Sequence, residues 1–142
     1  GVSCDIITGF CSETEEEHKD TLSLMKECEF EFSYMYYYSE RPGTLAARKF
    51  EDDVPLEIKK RRLTEVIETQ HEVSKRINAA QIGTVHRVLI EMQSKKSKDE
   101  WMGRNEQNIK VIFPKAHYKM GDYVDVRIER TTLASLIGVG VS

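Results

Sequence analysis

Five cations, Lys95, Lys96, Lys98, Arg104 and Lys110, fall within residues 94–110. Ser94-Lys95-Lys96-Ser97 makes a basic turn, and Arg104 follows Gly103, which reads as a flexible link. Cations spaced this way neutralise phosphates, and the binding they support is salt-sensitive because counterions are released. Trp101 or Phe113, in or beside the same stretch, offers a ring on which a base can stack, although Trp101, beside Met102 and Gly103, reads equally as core. Such chemistry suits a polyanion, RNA foremost. The alternative is a β-domain that docks only on its own polypeptide.

A second set of residues lies near the start, Asp5-x-Ile7-x-Gly9-x-x-x-Glu13. A glycine at the carboxyl end of a strand lets a ligand approach the backbone, and α/β ligand sites lie at that end. The carboxylates Glu15, Glu16 and Glu17 suit the positive end of a helix better than acid–base work. His18, His71, His86 and His117 are scattered, with no nucleophile at a useful spacing. Cys4, Cys11 and Cys28 contain no C-x-x-C, so they read as free thiols in a reducing compartment. No self-contained catalytic set and no metal site is expected.

The 142 residues carry a formal charge of −3 that hides an asymmetry. Residues 1–78 hold 11 Lys and Arg against 17 Asp and Glu, net −6, and residues 79–142 hold 10 against 7, net +3. A basic tail behind an acidic front suggests an anionic partner for the tail. No apolar run approaches the roughly 20 residues of a membrane span, and no basic n-region marks a signal peptide. The expected location is the cytoplasm. The opening, without methionine and directly into an apolar run, reads as a chain cut inside a fold.

These side chains need elements to position them. Residues 2–8 read as a buried strand. Ser12 with Glu15, and Thr14 with Glu17, give capping-box spacing for a helix over 15–27. Residues 30–38 alternate and then become continuously aromatic, which predicts a strand buried at its far end. Strand–helix–strand favours a parallel pair with a right-handed crossover, and two such strands cannot cover their own faces. A loop over 39–53 precedes a long amphipathic helix over 56–78. Lys59-Lys60-Arg61-Arg62 on that helix reads either as an RNA contact or as a solvated face. After Gly83, five short strands with turn signals predict a small barrel resembling an OB-fold. The fold class is therefore α/β plus all-β, in three parts: 1–50, 51–78 and 79–142.

Four motifs, in this order, carry a resemblance over essentially the whole chain: D-I-I-T-G-F-C-S-E-T-E-E-E-H from Asp5, Y-S-E-R-P-G-T-L-A-A from Tyr38, D-D-V-P-L-E-I-K-K-R-R-L from Asp52, and S-K-K-S with G-R-N-E-Q-N-I-K-V-I-F-P ending at Pro114. They resemble the radical-SAM methylthiotransferases, in particular the branch that modifies isopentenyladenosine beside the tRNA anticodon. The resemblance implies that residues 1–50 are the end of a radical-SAM barrel and 79–142 a TRAM β-barrel. It implies a longer parent that uses S-adenosylmethionine and two [4Fe–4S] clusters, whose cluster-binding cysteines lie outside this chain. This piece alone would then be inactive, with the missing domains of the same polypeptide and the anticodon arm of tRNA as partners. An RNA-binding adaptor without enzymatic parentage, or the related enzyme acting on a ribosomal protein, are the rival readings.

By position, the resemblance gives Ile7, Gly9 and Glu13 to S-adenosylmethionine, although Asp5 replaces the motif's first glycine and Glu13 sits one residue late. It gives Ser39, Arg41 and Thr44 to a loop at the barrel mouth. Lys95, Lys96, Arg104, Asn108 and Lys110 fall to RNA, with Asn105 where the motif has threonine. The unpaired strand edges of residues 1–50 carry an expectation of self-association.

Overall fold

The β-branched run near the amino end forms strand β1 (Ser3–Thr8), in a computed structural model that describes residues 1–141. Helix α1 (Glu15–Cys28) follows, then strand β2 (Phe32–Tyr37). The two strands pair in parallel, from Ser3 opposite Phe32 to Thr8 opposite Tyr37. The capping box belongs to Thr14 and Glu17: the Thr14 hydroxyl accepts from the Glu17 amide, and the Glu17 carboxylate accepts from the Thr14 amide. Ser12 does not cap. It sits at φ 66, and its amide donates to the Asp53 carboxylate at 2.7 Å.

Within the expected loop, Thr44 caps a short helix, α2 (Leu45–Lys49), by accepting from the Ala47 amide. Helix α3 (Leu56–Ala79) matches the long amphipathic element. Residues 2–73 form one compact unit and residues from 74 onward another.

The core of the first unit is Ile6, Met25 and Val66, with Cys4, Leu22, Phe30 and Met35 packed on it. Because strand side chains alternate between faces, Ile7, Phe32, Tyr34 and Tyr36 take the opposite face, and each is 40–57% exposed. The expectation that β2 is buried at its far end is therefore wrong. Helices cover one side of the two-stranded sheet, and among the described residues nothing covers the other.

The second unit is a closed barrel of β3 (Val85–Gln93), β4 (Glu100–Asn105), β5 (Lys110–Pro114), β6 (Tyr123–Thr131) and β7 (Leu136–Gly140). Their order around it is β3-β4-β5-β7-β6. β5 and β7 are parallel; the other pairs are antiparallel. This is the five-strand order of an OB-type barrel. Val88, Ile90, Val111, Phe113, Val124, Val126, Ile128 and Leu136 fill its interior.

Gly103 is no flexible link. It lies buried in β4, and a Cβ there would collide with the Leu89 carbonyl of β3. It is glycine because two strands approach too closely for a side chain. No helix of the described residues is long and apolar enough to cross a membrane.

Candidate nucleic-acid interface

Outward positions on β4 and β5 form paired rows: Met102 opposite Ile112 and Arg104 opposite Lys110. In OB-type barrels this face, with the loop joining the first two strands, receives oligonucleotides. That loop here is residues 94–99. Ser94 is buried, and its hydroxyl accepts from the Lys96 amide, as the Ser97 hydroxyl accepts from the Asp99 amide. These local bonds fold the loop on its serines and leave Lys95, Lys96 and Lys98 exposed.

Arg104 is half exposed. It donates to the Asn108 carbonyl at 2.9 Å and lies 3.4 Å from the Glu91 carboxylate. The acid orients the guanidinium along the face without removing it from solvent. Asn108 is exposed and holds the left-handed φ of 64 that closes the turn from β4 to β5. Lys110 is partly exposed at the start of β5. The face therefore gathers Arg104, Asn108 and Lys110, with the three lysines on the loop at the far end of β4.

The structure places both rings against the barrel core, the alternative left open for Trp101 and not expected for Phe113. Phe113 is wholly buried among the barrel aliphatics, so it cannot stack on a base. Trp101 is partly buried against the core, its indole donates to the Tyr118 carbonyl, and Lys115 covers its ring at 4.5 Å. The inward-facing alternation of β5 decides the first case. Asn105 is also turned inward: its side-chain oxygen accepts from the amides of Gln107 and Ile109.

In the first unit, Ile7 lies on the open face of the sheet. Gly9 has φ 72, and a Cβ there would meet the methylenes of Lys59, which by itself accounts for a glycine. Glu13 accepts from the Gly9 amide at 2.8 Å and from Arg62 at 2.8 Å, so its carboxylate is engaged within the loop. Ser39 and Arg41 are exposed, and the Thr44 hydroxyl donates to the Arg41 carbonyl.

The basic run on α3 is neither an RNA contact nor a solvated face at Lys59 and Arg62, which are 4% and 5% exposed. Lys59 donates to Asp52 and the Tyr38 carbonyl. Arg62 pairs with Glu13 and Glu15. The i, i+3 spacing of Lys59 and Arg62 puts both on one helix face; with D-D-V-P just upstream, that was the signal available. Lys60 and Arg61 are exposed.

Glu15, His18 and Glu65 bring three donor atoms within 4.8 Å. Arg61 binds both carboxylates and His18 binds Glu65 at 2.5 Å, which makes the group an ion-pair web. The Arg61 hydrogen bond leads in holding the Glu15 carboxyl down at about 2, helped by Arg62 against the opposing effect of burial. Burial raises Glu65, but hydrogen bonds from His18 and Arg61 outweigh it and leave the group lowered.

Residues 79–141 match the family described as the TRAM domain. Over 138 residues, 97% of the chain, it is 58% identical to a protein of Amoebophilus asiaticus named tRNA-2-methylthio-N(6)-dimethylallyladenosine synthase. Proteins of the same name from Christiangramia forsetii and Phocaeicola vulgatus are 54% and 46% identical, over 100% and 97% of the chain. The chain spans about three tenths of the length of these relatives: 28%, 30% and 30%. Residues 79–141 are thus a TRAM domain, and nearly the whole chain is similar to one segment of these synthases.

Proposed function

We propose that this chain is the tRNA-gripping portion of a methylthiotransferase that places a methylthio group on isopentenyladenosine next to the anticodon. The observation that carries the reading is the outer face of β4 and β5, where Arg104 and Lys110 stand in register next to the turn that holds Asn108, with Lys95, Lys96 and Lys98 exposed on the loop at the other end of β4. The names of the relatives supply the tRNA. Contacts of this kind go to phosphates, so they position the RNA and leave base recognition to other parts of the parent. The work is done in the cytoplasm.

In the parent, S-adenosylmethionine and two [4Fe–4S] clusters held by other domains supply the radical chemistry. Within this chain, Ile7 on the open sheet face and the backbone at Gly9 fit an adenosyl contact, with Glu13 and Arg62 shaping the loop around them. Ser39, Arg41 and Thr44 follow β2 in the chain and are exposed, as a substrate contact requires.

Anisotropy titration of the chain with an anticodon stem-loop tests the RNA half. Log affinity should fall with log salt by about 0.7 to 0.9 per phosphate contacted. Arg104→Ala should weaken binding about tenfold and flatten that slope by about one contact. Affinity independent of salt, or wild-type affinity in the variant, refutes the reading.

A further inference from the structure

We propose that His86 and Asn105 are positioning residues for the RNA-contacting turn of the barrel, and that the turn is held by the neutral, Nε2-protonated form of His86. The functional half of this statement rests on the RNA reading above; the structural half does not.

His86 is an inward position of β3, opposite Val126 of β6, and Asn105 ends β4. The hydrogen bonds between them leave one assignment. The Asn105 side-chain oxygen accepts from the amides of Gln107 at 3.1 Å and Ile109 at 2.8 Å. Backbone amides only donate, so the oxygen must face them and the Asn105 NH2 group must face His86, where it lies 3.2 Å from Nδ1. An amide NH2 only donates, so Nδ1 accepts. On the other side of the ring, Nε2 lies 2.9 Å from the Thr84 hydroxyl. That hydroxyl sends its own proton to the Gln81 carbonyl at 2.6 Å. It can therefore only accept from the ring, and Nε2 carries the hydrogen. The relay runs from the residue 105–109 turn through one imidazole to the backbone ahead of β3.

A second proton on Nδ1 sets two donors against each other. Either the ring leaves Asn105, or the Asn105 amide turns over and abandons Gln107 and Ile109. Both outcomes loosen the turn whose Asn108 carbonyl anchors Arg104. The groups around the ring are known. Glu106 and a hydrogen bond with the Gln107 side chain favour the charged form, yet burial prevails and lowers His86 below its ordinary value. β6 faces it with Val126; Asp125, Arg127 and, on β3, Arg87 are exposed positions of the opposite alternation. An isolated histidine titrates near about 6.5. The latch is thus complete above that value and is lost as pH falls through the lower folded one.

The sign is unusual. Acidification adds positive charge to a protein and ordinarily tightens RNA binding; here it should weaken it. The test uses the 142-residue chain, labelled with ¹⁵N, and an anticodon stem-loop. Long-range ¹⁵N–¹H correlation at about pH 7.5 should show His86 protonated at Nε2. On acidification, the Gln107 and Ile109 amide signals should shift with the His86 titration, and RNA affinity should fall severalfold over the same range. His86→Gln keeps an acceptor and a donor at every pH, so it should retain affinity and lose that acid-induced fall. Asn105→Asp exchanges the donor for an acceptor, so it should raise the His86 titration and reverse the trend: the charged ring then holds the turn, and affinity should no longer fall on acidification. An Nδ1-protonated ring, or an unchanged pH profile in His86→Gln, overturns the latch. If no RNA binds at any pH, the RNA reading fails, and the tautomer and amide shifts alone decide the latch.

Discussion

Arg61 and Arg62 are neighbours on α3 with opposite surroundings. Arg61 has a side chain 41% exposed and bridges Glu15 and Glu65; Arg62 is buried and ties Glu13 and Glu15 together beneath the β1–α1 loop. Exposed ion pairs contribute little because water competes for both charges. Removing one partner of a buried pair strands the other in a medium that solvates it poorly, at a cost of roughly 3 to 5 kcal/mol. Arg62→Ala should therefore lower the urea midpoint of the first unit by roughly 1 M or more, whereas Arg61→Ala should lower it less. Equal midpoints in the two variants would refute the distinction. The same web gives an acid limb. Glu15 titrates at about 2 against an ordinary 4.5, so its contribution is full above 4.5 and disappears as pH falls toward 2. Arg61→Ala should lift that limb to higher pH in acid-unfolding curves.

At the scale of elements, what matters is which residues meet across strands. Gly103 faces the Leu89 carbonyl, a backbone atom that cannot step aside without disturbing β3. Gly103→Ala should cost about 1 to 3 kcal/mol through forced separation of the strands, read as a lower Tm together with weaker stem-loop binding. Gly43→Ala is the contrast: nothing lies within 4 Å, so only its φ of 84 resists the change, at about 1 to 2 kcal/mol and without a sheet defect. A Gly103→Ala variant as stable as the parent would remove the close-approach argument. This pair shows where sequence reading stops. Periodicity made the five barrel strands, α1, α3 and the parallel β1–β2 pair legible, because alternation and 3.6-residue spacing are local signals. The basic turn of residues 94–99 was legible from its composition, Ser-Lys-Lys-Ser. Burial of Arg62 was not, since its partner Glu13 lies 49 residues away. The inward turn of Phe113 and Asn105, and the bond between Asn105 and a histidine 19 residues earlier, depend on cross-strand register that no local pattern encodes. The missed helix α2 is one short turn of chain whose Thr44 cap is its one sequence mark.

For the molecule as a whole, the two units meet water differently. The barrel closes on itself and has no free edge. The β1–β2 sheet, among the described residues, has two strands and therefore two open edges, and its uncovered face carries Ile7, Phe32, Tyr34 and Tyr36 at 40–57% exposure. Contiguous apolar surface of that kind marks a contact face, and open edges recruit further strands. We expect the chain by itself to self-associate through this sheet, with the average mass in light scattering rising as concentration rises. Replacing Tyr34 and Tyr36 together by lysine should restore a monomer, because both rings point into solvent and the added charges repel a second copy. The same variant should keep the parent's Tm, since neither ring belongs to the Ile6–Met25–Val66 core. Salt should distinguish this association from one driven by the acidic first 78 residues meeting the basic remainder. Apolar pairing persists or strengthens at high salt, whereas charge pairing is screened over a Debye length of about 8 Å at physiological strength. A chain that stays monomeric at every concentration, or an oligomer that dissolves in salt and ignores the lysine substitutions, would assign the aromatic face no such role.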